Sequence, residues 1–140
     1  MSNKTLAKDL EAIIESGLNS VVFPYKKGNS LRIRHMVVRE SKNGYLVYDA
    51  KENKQIARTF CKTSAVAIAK NKALGIDILK EAMQFDKIIE KNFNDALFYK
   101  HAIRSAKEEI VRDSRRVRLD IAIDRTRWAK THLDRFIFGS

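Results

Sequence analysis

The chain has 140 residues, with 28 Lys and Arg against 17 Asp and Glu, so its formal net charge is +11 at pH 7. Hydrophobic residues make up 44 % of the sequence, which is enough for a packed core and excludes a wholly disordered chain. No apolar run approaches the ~20 residues of a membrane span, and the first residues lack the apolar centre of a signal sequence. We therefore expect a basic cytoplasmic protein without a membrane partner.

The first part of the chain predicts one helix followed by a small antiparallel sheet. Apolar residues at helical spacing predict a helix over residues 3–17, capped at Ser2 or Asn3 and ended by Gly17. Alternating residues then predict a strand over 31–39, with Arg32 and Arg34 on the same face. Strands over 45–50 and 55–60 complete a three-stranded meander, and a short apolar run at 20–23 leaves room for a fourth strand in front.

Turn and cap residues separate these elements. Asn43-Gly44 predicts a hairpin turn, because both residues tolerate a positive φ. Thr63 or Ser64 can cap a second helix, and Gly75 can end it. This helix is rich in alanine, and small side chains allow close packing on a sheet.

From residue 77 onward the sequence predicts helices. We expect two of them, over about 77–91 and 94–136, with a break at 92–95. Residues 117–124 alternate with period two, so a strand is the alternative there. The apolar residues of the second predicted helix form a stripe that is longer than a small sheet can cover. The helices therefore either pack back on the first unit or pair with another copy.

The predicted fold is therefore α+β. Residues 1–75 form an α-β-β-β-α domain around a meander of three or four strands. Residues 76–140 form a long helical extension. We expect this extension to serve packing or homo-oligomer formation.

Basic residues concentrate in two parts of the chain. Residues 26–72 contain twelve Lys and Arg against three acidic residues, and residues 112–130 carry an arginine-rich cluster. A Lys or Arg that neutralises a phosphate releases a counterion, and Arg can bind phosphate with two hydrogen bonds. A solvated helix face with ion pairs is the alternative for the second cluster. The predicted nucleic-acid contacts are Lys26, Lys27, Arg32, Arg34, Lys42, Lys62 and Lys70, with Arg115, Arg116 and Arg118 as a second group.

No pattern in the sequence indicates catalysis, a metal site or a cofactor. His35, His101 and His132 lie far apart in the sequence, so they do not have metal-ligand spacing. Cys61 has no identifiable base nearby and is expected to be a small buried side chain. Tyr25, Tyr45 and Tyr48 lie in the basic β region, where exposed rings would favour single-strand binding, although half-buried strand positions are the alternative.

The order of elements over residues 3–75 resembles the double-stranded-RNA-binding domain. The run from Lys62 to Leu74, KTSAVAIAKNKAL, is similar to the second helix of that family, which opens with Lys and Ser and continues in Ala and Lys. The resemblance implies that Lys62 and Lys70 contact phosphates. The paired lysines at the start of the family's helix are replaced here by Thr63 and Ser64, and Gly28-Asn29-Ser30 replaces its Gly-Pro-x-His loop.

A second run is similar to small uncharacterised proteins of marine tailed phages. Residues 48–60, YDAKENKQIARTF, followed by the helix that starts near Ser64, reproduce a strand, a polar Asn-Lys turn, a strand ending in Phe and an alanine helix. This resemblance implies a phage-encoded protein that acts in the host cytoplasm or in the virion.

These observations predict a non-enzymatic basic protein that binds DNA or RNA through phosphate contacts. The alternative is an oligomeric structural or assembly protein, such as a virion component. Its charge and helices would then make protein–protein contacts.

Overall fold

The computed structural model describes Leu6, residues 8–10, Ala12, residues 26–27 and residues 30–139. Within these residues, the strands of one antiparallel sheet lie side by side in chain order, and helices follow. The strands are β1 (Lys26–Lys27), β2 (Ser30–Ile33), β3 (Met36–Ser41), β4 (Gly44–Asp49) and β5 (Lys54–Thr59), and the helices are α1 (Lys62–Ala73), α2 (Leu79–Ser105) and α3 (Glu109–Phe138). The α+β fold with long C-terminal helices is thus confirmed.

The N-terminal prediction is covered only at a few positions. Leu6, residues 8–10 and Ala12 are helical, and the side chains of Leu6 and Leu10 belong to the core. The predicted caps of this helix and the predicted strand at 20–23 lie outside the described residues.

The prediction of one strand over 31–39 was wrong. β2 ends at Ile33, which pairs with Met36 at the start of β3, so Arg34 and His35 form a two-residue turn. Arg34 adopts a φ of 53°. Two distant contacts hold this turn: the Arg34 guanidinium donates to the Ala73 carbonyl at 3.3 Å, and the Ala50 N–H donates to the His35 carbonyl at 2.8 Å.

The predicted hairpin at Asn43-Gly44 is present, with the turn one residue earlier. Lys42 and Asn43 form the loop, and Ser41 pairs with Gly44. Gly44 has a φ of 140°, and a Cβ added there would lie 2.2 Å from the Thr59 carbonyl oxygen. Glycine is therefore required at this position by the close approach of β5 as well as by the backbone conformation.

Helix α1 lies in the middle of the molecule. Nine of its 12 residues are buried, because it packs on β2–β5 on one side and on α2 and α3 on the other. The described residues thus form three layers, the sheet, α1 and a pair of long helices. Alanines over 65–73 allow both outer layers to approach this helix closely. Gly75, at a φ of 81°, ends it as predicted, and the Ile76 and Gly75 N–H groups donate to Asn71 and Lys72 carbonyls.

The two C-terminal helices form a hairpin, but its turn is not where the sequence predicted it. Helix α2 continues through residues 92–95. The side chain of Asn92 is buried there, and its Nδ2 group donates a hydrogen bond to the Ile88 carbonyl at 2.7 Å. The helix ends instead at Ser105, and the carbonyl of the next residue, Ala106, accepts a hydrogen bond from Arg112 Nε at 2.9 Å. Residues 117–124, for which a strand was the alternative, are helical.

The helices pack back on the first unit. Ile89, Leu133 and Ile137 from α2 and α3 belong to the same buried cluster as Met36 and Val47 from the sheet. The division of the chain at residue 75 stays a prediction. Over the residues that the structure describes, no helix is long and apolar enough to cross a membrane.

Candidate nucleic-acid interface

The sheet packs on α1 with one face. Among the described residues, no side chain on the opposite face is buried, and we call this the open face. Leu31, Met36, Val38 and Val47 are buried on the packed face. Because strand residues alternate between faces, their neighbours project to the other side. Two rows of paired residues cross this open face, Arg32–Val37–Tyr48–Gln55 and Ser30–Arg39–Leu46–Arg58.

The open face is basic. Arg32, Arg39 and Arg58 are exposed, and the two rows contain no acidic residue. The ion pairs of the described residues are Lys54–Glu52, Lys91–Asp95, Arg116–Asp113 and Lys130–Asp134, so none neutralises these three arginines. With strands ~4.8 Å apart and residues on one face ~6.7 Å apart along a strand, the arginines span roughly 16 Å.

A shallow depression lies beside Arg39 on the open face. Arg39, Leu46, Tyr48 and Gln55 line it. Tyr48 is half-buried, and its hydroxyl donates to Asn53 Oδ1 in the β4–β5 loop. Asn53 has a φ of 57°, and this hydrogen bond holds the tyrosine against the loop. The face thus combines an anchored ring with guanidinium groups on both sides.

The sequence-predicted basic residues of the first group are spread over several surfaces. Arg32 lies on the open face and donates to the Arg34 carbonyl at 2.9 Å. The prediction that Arg34 shares this face was wrong, because Arg34 lies in the turn and its guanidinium is bound to the end of α1. Lys42 is exposed in the β3–β4 turn, and Lys26 and Lys27 form β1 beside β2.

The lysines of α1 are partly enclosed. Lys62 is the first residue of the helix and is half-buried. Lys70 is also half-buried, and its ammonium donates to the carbonyl of Ile137 near the end of α3. Lys70 therefore joins two helices.

The arginines of α3 lie in a different layer from the open sheet face. Arg115 donates to the Ala102 carbonyl, and Arg116 is paired with Asp113 at 3.1 Å. Arg118 is exposed and lines a groove with Tyr99 between α2 and α3. Since α1 lies between the sheet and this helical pair, the two predicted groups do not form one surface.

Arg39 and Arg58 are the residues that the site prediction omitted. In a single strand over 31–39, Arg32 and Arg39 would fall on opposite faces, because their positions differ by seven and side chains alternate between the two faces. The turn at Arg34-His35 changes that relation, since Arg32 pairs with Val37 and Ser30 pairs with Arg39. No signal in the sequence marks this turn.

The buried titratable groups are held in structural networks. Burial, together with the nearby Asp86 carboxylate, raises the pKa of the Cys61 thiol far above its ordinary value, so the thiol stays protonated. Cys61 Sγ lies 2.9 Å from Ser64 Oγ and 3.4 Å from Asp86 Oδ1. Among the described residues, no three His, Cys, Asp or Glu side chains are grouped so that they could hold a metal ion.

Comparison with protein-family models, with curated proteins and with solved structures gives no match to this chain.

Proposed function

We propose that this protein is a non-enzymatic module that binds single-stranded nucleic acid on the open face of its sheet. The observation that carries the proposal is the set of three exposed arginines around Tyr48, without a carboxylate in either row of that face. Guanidinium groups bind phosphate oxygens with two hydrogen bonds, and an aromatic ring can stack on a base of any identity. Such a face suits a flexible strand with splayed bases.

A single strand is favoured over a duplex by the shape of the face. A flat sheet exposes its side chains over a broad area, whereas duplex DNA is read by a helix or ribbon that enters the major groove. Four-stranded sheets with exposed aromatic residues are a recurring platform for single-stranded RNA. The exposed Lys42 at one end of β3 extends the positive charge beyond the arginines.

The test compares two variants with the same change in charge. Arg39→Ser with Arg58→Ser removes two cations from the open face. Lys87→Ser with Arg104→Ser removes two exposed cations from α2. Fluorescence anisotropy with a labelled oligothymidine of about 20 nucleotides gives the affinity of each protein between about 50 and 200 mM salt.

The expected result is specific to the open face. Each lost phosphate contact lowers the salt slope by about 0.7 for a single strand, so the sheet variant should lose about 1.4. When salt rises fourfold over this range, the factor by which affinity falls should then be about sevenfold smaller for the sheet variant than for the wild type. Equal losses in both variants would refute the site, and tighter binding of a duplex than of the single strand would refute the choice of ligand.

Tyr48 provides an independent measurement. Tyr48→Ala should weaken binding by about 5- to 150-fold, the range that corresponds to 1–3 kcal/mol for one stacked base. Tyr48→Phe keeps the ring, loses the hydrogen bond to Asn53, and should bind within about threefold of the wild type. Loss of binding in Tyr48→Phe equal to that in Tyr48→Ala would show that stacking does not contribute.

A second candidate function is that of an oligomeric assembly protein. Large apolar side chains stay exposed on the helical pair, with Phe98 exposed to 64 % and Ile110 to 76 %, and such side chains favour protein contacts. A large closed assembly by light scattering, with no binding of the oligothymidine at low salt, would favour this function. Under it, a place in a phage virion stays a hypothesis.

A further inference from the structure

Helix α3 carries an apolar face outside the buried core, where Trp128 at one end packs edge-on against Phe85 of α2 with the ring centroids 5.7 Å apart. Four exposed apolar residues on this face are spaced by seven, four and seven positions, and we call them the outer stripe. They are listed with their exposed fractions: Ile110 (76 %), Val117 (58 %), Ile121 (42 %) and Trp128 (53 %). At 100° per residue they lie within about 20° of one line along the helix. Ala122, Ala129 and Leu133, which face the core, lie about 100–140° away from that line. The helix is thus apolar on two separate faces.

The spacing of the outer stripe is that of a coiled-coil seam. Alternate steps of four and three residues run through Ile110, Ser114, Val117, Ile121, Asp124 and Trp128. The segment from Ile110 to Trp128 is about 27 Å long at ~1.5 Å per residue. We propose that two copies of this chain pair through the outer stripe, with their α3 helices parallel about a two-fold axis.

The charges beside the stripe select the parallel orientation. Asp113 and Asp120 lie on one flank, about 60–80° from the stripe, and Arg118 and Arg125 lie at the same angle on the other flank. In a parallel pair, the acidic flank of each helix faces the basic flank of its partner. Asp113 then meets Arg118 of the second copy, and Asp120 meets Arg125, and the two-fold axis repeats both contacts.

An antiparallel pair would bring like flanks together. The basic flanks of the two copies would face each other, as would the acidic flanks, and like charges in that position repel. Arg118, Asp120 and Arg125 have no ion pair among the described residues. Within the same described part of the chain, Asp113 has one ion pair, the exposed contact with Arg116 at 3.1 Å. The flanking charges are therefore available to a partner.

One residue opposes the pairing. Asp124 occupies a seam position between Ile121 and Trp128 and is exposed, so the two-fold axis brings two carboxylates together. This repulsion, together with the single helix face, implies a dimer that dissociates readily. Because the sheet lies on the far side of α1, dimerisation leaves both open sheet faces free, and a strand that contacts both would bind with avidity.

The test uses nuclease-treated protein, so that nucleic acid cannot link the copies. Sedimentation velocity over a range of concentrations should show a monomer–dimer equilibrium. Trp128, the only tryptophan, should shift its emission to shorter wavelength as the dimer forms. A monomer at all concentrations, or an assembly larger than a dimer, would overturn the proposal.

Charge exchange tests the flanks without changing the stripe. Asp113→Arg with Asp120→Arg should weaken the dimer about tenfold, since four exposed ion pairs between the copies are replaced by contacts between like charges. Arg118→Asp with Arg125→Asp should do the same. A mixture of the two variants should restore a mixed dimer. Asp124→Leu should strengthen self-association, and weaker association in that variant would refute the proposed seam.

Cross-linking tests the orientation. Ser114→Cys places two thiols opposite each other in a parallel pair, within the 4.4–6.8 Å Cα separation that a disulfide needs. With oxidised glutathione it should form a linked dimer rapidly, whereas Ser105→Cys, an exposed control on α2, should not. The native Cys61 is buried and should stay reduced. Equal rates for the two variants would overturn the parallel arrangement.

Discussion

Replacement of Asp86 should show how strongly one buried carboxylate holds the layers together. Asp86 lies on α2 and is 2 % exposed. Its carboxylate accepts hydrogen bonds from the Phe60 N–H at 2.8 Å and from the Cys61 N–H at 3.1 Å. These donors lie where β5 gives way to α1, and Cys61 provides no side-chain cap for that helix. Asp86 therefore caps α1 from another layer.

The expected loss follows from the two donors. A buried N–H without an acceptor costs about 1–3 kcal/mol, so Asp86→Ala should lower the free energy of unfolding by about 3 kcal/mol or more. Asp86→Asn keeps the shape and one acceptor oxygen, but turns an NH₂ group towards the other donor. Its expected loss is about half as large. Glu90→Ala, at an exposed site on the same helix, should change stability by less than about 0.5 kcal/mol.

Urea unfolding followed by circular dichroism measures all three variants. The slope of the free energy against urea should match that of the wild type, since the same surface is exposed on unfolding. A loss in Asp86→Ala no larger than that in Glu90→Ala would refute the view that Asp86 caps α1 across the layers.

Two further predictions concern Gly44 and Asp49. Gly44→Ala should lower the free energy of unfolding by more than about 2 kcal/mol, because its Cβ would collide with the Thr59 carbonyl. Gly75→Ala has open space around it and should cost only about 1 kcal/mol of backbone strain. Similar urea midpoints for the two variants would contradict this prediction. Burial alone would raise the pKa of the Asp49 carboxyl. The pKa is nevertheless held below its ordinary value, because the carboxylate accepts hydrogen bonds from the Glu52 and Lys51 N–H groups and lies near the charges of His35 and Lys72. Because that pKa is lowered in the folded state, the stabilisation is present above the unfolded value of about 3.9 and is lost as the pH falls through the folded value. Asp49→Asn should therefore lose less stability than the wild type between about pH 5 and pH 2, and parallel pH curves would refute this.

The local signals in the sequence predicted most elements correctly. The turn residues at Asn43-Gly44 and Asn53-Lys54 predicted the strands near 45–50 and 55–60, and Gly75 ended α1 where a residue of positive φ was expected. Two boundaries were wrong, and one of them depends on distant contacts. The turn at Arg34 is held by Ala73 and Ala50. Asn92 lies in the middle of α2, where its side-chain amide donates a hydrogen bond to the Ile88 carbonyl of the preceding turn.

The candidate interface divides in the same way. The excess of Lys and Arg, on which the proposal of an anionic partner rests, is visible in the composition alone. Composition does not tell which cations lie on the same surface, because the face on which a strand residue lies depends on the register of the strands. One two-residue turn places Arg39 beside Arg32 on the open face and removes Arg34 from it.

The sequence alone determined the α+β class, the positive charge and the places where glycine ends or bends an element, because these depend on short-range periodicity and on the backbone freedom of single residues. The tertiary structure decided the rest. It enclosed α1 between two layers, joined Lys70 to the end of α3, and left three arginines and a tyrosine together on the open sheet. Such groupings arise from strand register and layer order, which bring together residues far apart in the chain.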